Sequence, residues 1–200
     1  PTIDSSTFDE KVKSIPVIVP NGCKASYQAS DVWKDFKGII EEGESLPNDT
    51  KIEVDGICYI ITNNVERTVS VTYSLSEDGY KGKRSIVIPE SVIYGGFTYQ
   101  VTGIGKAAFS DCIALTNITI PNSVTTIGEC PFYACENIAL FKGKYAEDNG
   151  RCLIKDDKII AYANASGATY TIPDNVTSIG SAAFYYCPNF SFFFIFLFIV

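Results

Sequence analysis

The sequence predicts a solenoid fold, mainly β. A short apolar phrase recurs along the chain: VTGIGKAAFSDC begins at residue 101, VTTIGECPFYAC at 124 and VTSIGSAAFYYC at 176. A chain that repeats such a phrase buries the core face of each unit against its neighbours. Within the first unit, Leu115, Ile118 and Ile120 follow the spacing L-x-x-I-x-I, which sets Ile118 and Ile120 on one face of a strand. Pro121 ends that strand, because it has no N–H for the next ladder bond. The phrase restarts after 23 residues and then after 52, so the second unit carries about 29 extra residues, within 138–170.

The chain opens differently. Ile15-Pro16-Val17-Ile18-Val19-Pro20 is a short β-branched strand between prolines, and Asn21-Gly22 is a turn signal. Tyr27, Val32, Trp33, Phe36, Ile39 and Ile40 then follow helical spacing, with Ser30 or Asp31 as cap and Gly43 as stop. Residues 1–42 are therefore expected to be the last strand and helical C-terminal cap of a preceding array, since an open solenoid end exposes its apolar face. Residues 43–50, GESLPNDT, read as a linker. Residues 51–100 contain strand-like runs with turn signals at Asp55-Gly56, Asp78-Gly79 and Gly95-Gly96, and are expected to form a β-meander that caps the second array. Ile88-Pro89 already matches the Ile-Pro of the coming repeats.

Residues 101–200 hold the array proper. Gly105, Gly128 and Gly180 recur in register, where the chain turns sharply or the backbone packs closely. Phe109, Phe132 and Phe184 recur four residues later and are expected to pile into one core ladder. In the extra segment, RCLIKDDKIIAY reads as a hairpin turning at Asp156-Asp157, with Cys152, Ile154, Ile159 and Ala161 alternating. Cys112, Cys135 and Cys187 recur at one position, either as small buried hydrophobes or as a disulfide between adjacent units. Residues 190–200, FSFFFIFLFIV, keep apolar core positions but lose the polar ones. The run is shorter than the roughly 20 residues a membrane helix needs, and is read as a truncated or mis-framed end rather than an anchor.

Composition narrows the function. The net charge is −7 with no basic stripe, which argues against a nucleic-acid partner. There is no His, which removes the commonest general base and a common zinc ligand. None of the seven Cys forms C-x-x-C, and no P-loop, G-x-S-x-G or H-E-x-x-H occurs, so neither catalysis nor a cofactor or metal is expected. Asp156-Asp157 reads as a turn rather than an acid pair. Asn48, Asn117, Asn164, Asn175 and Asn189 head N-x-S/T triplets, by chance or as glycosylation sites. The chain begins at Pro1 and contains no Met, and is read as a fragment in which a signal peptide would not be seen.

The phrase V-T-x-I-G-x-x-A-F-x-x-C-x-x-L-T-x-I-x-I-P, clearest over 101–123 and again over 171–187, resembles the BspA-like leucine-rich repeat family of host-associated microbes. FKGKYAEDNGRCLIKDDKIIAYANASGATYTIPDNVTSIG looks like an elongated unit of that family, and VIVPNGCKASYQASDVWKDFKGIIEE like its helical end cap. The resemblance implies two arrays in series, a cell-surface or secreted location, and adhesion to host or microbial proteins. No catalytic residues belong to the family motif.

The expected contact surface is the variable side of the strand: Thr116, Asn117 and Thr119, followed by Asn122 and Ser123. These are small and polar, which points to a shallow hydrogen-bonding face whose repetition adds avidity. A passive spacer is the rival reading. A glycan-binding module is the third, and would need an exposed aromatic platform with carboxylates beside it; Trp33 is a poor candidate. Tyr133, Tyr185 and Tyr186 either fill the turn or present a tyrosine contact surface.

Overall fold

The computed structural model describes residues 5–10, 12–36, 38–74, 79–166 and 170–187. Those residues are mainly β, with the single short α-helix α1 (Lys24–Gln28) among them. The apolar run 190–200 and Asp78 of the expected Asp78-Gly79 turn lie outside the described residues.

The N-terminal region departs from expectation. Strand β1 (Val17–Val19) is where the prolines bracket it, but Ile39 and Ile40 lie in a second strand, β2 (Ile39–Glu41), not in a helix. The two strands pair in parallel, Val17 beside Ile39 and Ile18 beside Ile40. β-branched side chains favour an extended chain. Gly38 also lets that chain approach Pro16, since a Cβ at 38 would lie 3.3 Å from the Pro16 Cβ. The apolar spacing that imitated a helix instead gathers a cluster in which Phe8, Trp33 and Phe36 meet ring to ring, with Tyr27 against Trp33. The expected linker is tied down as well. Leu46 is buried in the main core, Asp49 N–H donates to Ile61 O at 2.8 Å, and Asn64 N–H donates to Asn48 Oδ1 at 2.7 Å.

Three strands then run as an antiparallel meander: β3 (Lys51–Val54), β4 (Ile57–Asn63) and β5 (Thr68–Val71). Asp55 and Gly56 close the first hairpin with φ of 51° and 71°, the left-handed pair that a two-residue turn of this twist requires. After β6 (Ser85–Val87), β7 (Ser91–Tyr94) and β8 (Phe97–Ile104) form a second hairpin across Gly95-Gly96. Tyr80, nearly inaccessible, locks this region. Its hydroxyl donates to Thr72 O at 2.8 Å and accepts from Cys58 N–H at 2.8 Å.

From here two parallel ladders advance together. One joins β5, β8 and β10 (Thr126–Ile127), pairing Val71 with Ile104 and Ile104 with Ile127. The other joins β6, β9 (Asn117–Ile120) and β11 (Leu140–Gly143), pairing Ile86 with Ile118 and Ile118 with Phe141. The core lies beneath both: Val101, Ile104, Phe109, Leu115, Ile118 and Val124 are almost wholly buried. The recurring glycines are needed for close approach rather than for a left-handed backbone. A Cβ on Gly128 would sit 2.4 Å from Lys106 N. The left-handed residues are instead Ala107, Cys130 and Ala182, with φ of 53°, 47° and 58°.

The extra segment adopts β12 (Ala146–Glu147), β13 (Cys152–Lys155) and β14 (Lys158–Tyr162), and β14 pairs in parallel with β15 (Ser178–Ile179). Asp156 and Asp157, with φ of 51° and 56°, turn the expected hairpin. The segment also hides a unit that lacks the recurring phrase. Thr125 N–H bonds Thr102 O, and Thr177 N–H bonds Asp157 O in the same way. Phe109 N–H bonds Pro131 O, and Tyr162 N–H bonds Ala183 O.

The single phenylalanine ladder therefore becomes two stacks. Phe109 and Phe132 lie parallel at 5.5 Å between centroids, while Phe184 stacks at 5.3 Å on Tyr162 in a separate small core with Cys152, Ile154 and Ile159. The cysteine column is interrupted too. Asn164, buried, donates to Cys135 O at 3.4 Å and Tyr185 O at 3.1 Å, and its Oδ1 accepts from the Cys187 thiol at 3.0 Å. All seven cysteines are free. The Cys112 thiol is held above its ordinary range by its hydrogen bond with Cys135 and by burial.

Candidate functional site

Alternation along β9 decides which side chains can meet a partner. Ile118 and Ile120 point inward and Asn117 and Thr119 outward, half-buried. Parallel register sets one row of Ser85, Asn117 and Leu140 beside a second of Val87, Thr119 and Lys142. Asn117 and Thr119 are therefore brought onto one surface, as the spacing predicts.

The other expected residues fare differently. Thr116 precedes the strand, and its Oγ1 donates to Arg84 O at 2.8 Å while accepting from Asn117 Nδ2 at 3.0 Å. Asn122 is exposed beyond the strand end, and its carbonyl accepts from Lys144 Nζ at 2.9 Å. The Ser123 hydroxyl is turned away from solvent.

The sequence reading missed Val87, 63% exposed, and Lys142 on the same row. The signal for Val87 was present: Ser85-Ile86-Val87-Ile88-Pro89 has the form of Asn117-Ile118-Thr119-Ile120-Pro121. Beside β6 lies a cleft of about 260 Å³ lined by Val54, Ile57, Lys83, Ile86 and Val92. Its walls are apolar apart from Lys83, Asp55, Ser85 and the buried Tyr59, so it offers mainly packing.

A more polar cleft of about 530 Å³ opens beside β12 and β13, lined by Glu147, Asp148, Arg151, Thr171 and Asn175. The Arg151 guanidinium donates to Tyr162 OH at 2.9 Å and pairs with Asp148 at 3.3 Å. That hydrogen bond is the first cause holding Arg151 in its charged form. No group of three or more His, Cys, Asp or Glu side chains is arranged to hold a metal among the described residues.

Tyr133, Tyr185 and Tyr186 stand out on the turn side. They touch one another yet are 38%, 42% and 52% exposed. The rings pack against each other at the surface. Of the N-x-S/T asparagines, Asn164 is buried with its amide bonded, so it is no glycan acceptor. No helix among the described residues is long and apolar enough to cross a membrane.

Comparison with known proteins gives these features a context. Among solved structures the chain is similar to a leucine-rich cell surface protein from Faecalibacterium prausnitzii A2-165, at 27% identity over 72% of this chain and 36% of that one, with a TM-score of 0.46. It is similar at 26% identity to a leucine-rich repeat protein from Bacteroides ovatus, over 70% of this chain and 39% of that one, TM-score 0.46. A leucine-rich repeat protein from Bacteroides capillosus shares 30% identity over 46% of this chain and 64% of that one, TM-score 0.39. The chain thus spans between 36% and 64% of the length of these proteins. None of the curated proteins matches it. The BspA type leucine-rich repeat region matches in six copies, over residues 84–145 and 158–195, and so reaches into the apolar run. With half of its length in that pattern, including both parallel ladders from β6 onward and the hidden unit around Tyr162, the chain belongs to the BspA-type leucine-rich repeat family.

Proposed function

We propose that the chain is a non-enzymatic, surface-exposed module that binds protein, acting in adhesion to host or microbial proteins. The observation that carries this reading is the outward face of β6, β9 and β11, where Val87, Thr119 and Lys142 form a row across three strands in register. Unit by unit, such a face is an extended platform of variable side chains on a fixed core, the arrangement that repeat proteins use for recognition. In this reading the two ladders are turns of a short solenoid with a unit of about 23 residues, the second lengthened within about 138–170. Residues 1–42 end a preceding array, 43–50 join the two, and 51–100 cap the second. The surface location is drawn from the family and from the described cell-surface protein of Faecalibacterium prausnitzii.

The contact set is Thr116, Asn117, Thr119, Asn122 and Ser123, extended by Val87 and Lys142. One observation favours the spacer reading instead: Thr116 and Asn117 spend polar groups on Arg84 and on each other, which leaves less for a partner. Binding of the chain to an array of extracellular-matrix and cell-surface proteins separates the two. Adhesion predicts saturable binding to at least one of them, weakened about tenfold or more by Thr119→Arg together with Lys142→Glu. Uniform absence of binding supports the spacer, and tight sugar binding on a glycan array supports the third reading.

A further inference from the structure

The tyrosine cluster on the turn side forms a surface distinct from the strand face. Tyr133 and Tyr185 stack with centroids 4.6 Å apart and planes 19° from parallel, and their hydroxyls lie 3.0 Å apart. Tyr186 meets Tyr185 edge-on, at 4.5 Å and 82°. Carboxylates flank the rings. Asp111, exposed, is fixed beside Tyr133 by a bond from its N–H to Tyr133 O at 2.8 Å, and Glu136 is exposed one residue past Cys135. The Tyr186 phenol is held above its ordinary value first by its hydrogen bond with Tyr185, and further by burial and by the charges of Glu136 and Asp111.

What these three rings lack is a cation over their faces, although Lys81 lines a neighbouring cleft together with Asp111. Elsewhere several exposed or half-exposed rings carry one of the chain's own positive charges. Lys51 Nζ lies 3.8 Å from the Tyr73 ring, the Arg67 guanidinium 4.2 Å from Phe97, and Lys144 5.0 Å from Tyr145. Among the described residues no cation lies over Tyr133, Tyr185 or Tyr186. Ring faces and carboxylates side by side attract the same ligand atom, because each stabilises positive charge.

We propose that Tyr133, Tyr185 and Tyr186, with Asp111 and Glu136, form a docking site for an arginine side chain on a basic segment of a protein partner. The planar guanidinium stacks on an open tyrosine face and directs its N–H groups to the carboxylates, a fit that the compact ammonium of lysine does not match. The net charge of −7 steers a basic segment toward the chain. This site does not depend on the strand-face reading, and either can fail without the other.

The test is calorimetric titration of the chain, in 150 mM salt, with a synthetic Gly/Ser peptide bearing three arginines. The same peptide with citrulline, and with lysine, provides the comparison. The expected result is saturable binding of the arginine peptide, weaker binding of the lysine peptide and none of the citrulline peptide. Tyr186→Ala weakens the arginine peptide about threefold to thirtyfold, Tyr186→Phe retains it, and Asp111→Asn with Glu136→Gln weakens it. Thr119→Ala leaves it unchanged. Thermal melts of each variant confirm folding, which substitution of a 52%-exposed ring leaves intact. Equal binding of arginine and lysine peptides with indifference to Tyr186→Ala would mean bulk charge alone, and would overturn the proposal. So would absence of any binding.

Discussion

Replacing Gly128 by Ala adds one methyl group where two stretches of backbone nearly touch. The new Cβ would lie 2.4 Å from Lys106 N, 2.8 Å from Gly105 C and 2.9 Å from Lys106 Cα. A comfortable contact is about 3.5 Å, so the chains must part by about 1 Å. The obstructing atoms are all main chain, and none can swing aside. Two hydrogen bonds span the same gap: Gly128 N–H to Ile104 O at 2.8 Å and Ala107 N–H to Glu129 O at 3.0 Å. Stretched by 1 Å, neither survives as a bond. Each unmade bond costs about 1–3 kcal/mol, so Gly128→Ala is expected to destabilise by about 2–6 kcal/mol, a large part of a total near 5–15. Gly82 is the control. A Cβ there meets nothing within 4 Å and its backbone is not left-handed, so Gly82→Ala should be neutral or gain about 0.4–1 kcal/mol through the unfolded chain. Urea unfolding followed by far-UV circular dichroism, compared at constant m, measures both. A loss at Gly128 below about 1 kcal/mol would refute the close-approach account of the recurring glycines.

Other perturbations test the hidden unit and the buried polar groups. Asn164→Ala leaves Cys135 O, Tyr185 O and the Cys187 thiol without their partner, and calorimetry should show a loss of about 2–4 kcal/mol; a loss no larger than that of an exposed alanine substitution would contradict the bridge. Tyr162→Ala removes the ring under Phe184 and the Arg151 bond, for about 3–5 kcal/mol. In hydrogen exchange the β14–β15 amides should lose protection before those of β9 and β11, and uniform loss would speak against a separate small core. Burial pushes the Cys152 thiol from 9.0 up to about 11. A raised pKa means that its contribution is complete below pH 9 and is lost as pH climbs to 11, by about 2–3 kcal/mol. Cys152→Ala should flatten that part of the stability–pH curve, and an unchanged slope would assign the loss to other groups.

Local pattern was enough wherever the deciding partner was close along the chain. Ile118 and Ile120 alternate, Asp55-Gly56 and Asp156-Asp157 have the turn chemistry their hairpins need, and all three features appear where the spacing places them. Legibility failed where a distant partner decided. Val32, Trp33, Phe36, Ile39 and Ile40 satisfy a helical period, but Ile39 and Ile40 gain a parallel strand from Val17 and Ile18, which no local window contains. Leu46 sits in a polar stretch and is buried only because the meander folds over it. The outward row was half legible. Thr119 followed from the strand pattern, whereas Lys142 lies in a unit whose Leu140-Phe141-Lys142-Gly143 no longer spells the Ile-x-Ile-Pro signature.

The hidden unit also explains why an aromatic surface exists at all. In the units that keep the recurring phrase, a bulky Phe fills the core and the next residue faces outward, as Tyr133 and Tyr185 do. Those two tyrosines belong to units separated by the segment around Tyr162. They meet because that segment offers little bulk between them. Ala163 is buried, and Asn164 is drawn inward to bond the backbones on both sides. The same Asn164 that closes the gap in hydrogen bonding therefore leaves the space above it open for the two rings to stack at 4.6 Å. Removing one ring of the pair tests this directly: Tyr133→Ala takes away the stacked face and should weaken arginine-peptide binding. If the peptide bound Tyr133→Ala as tightly as the parent chain, the stacked geometry would not be what the arginine recognises.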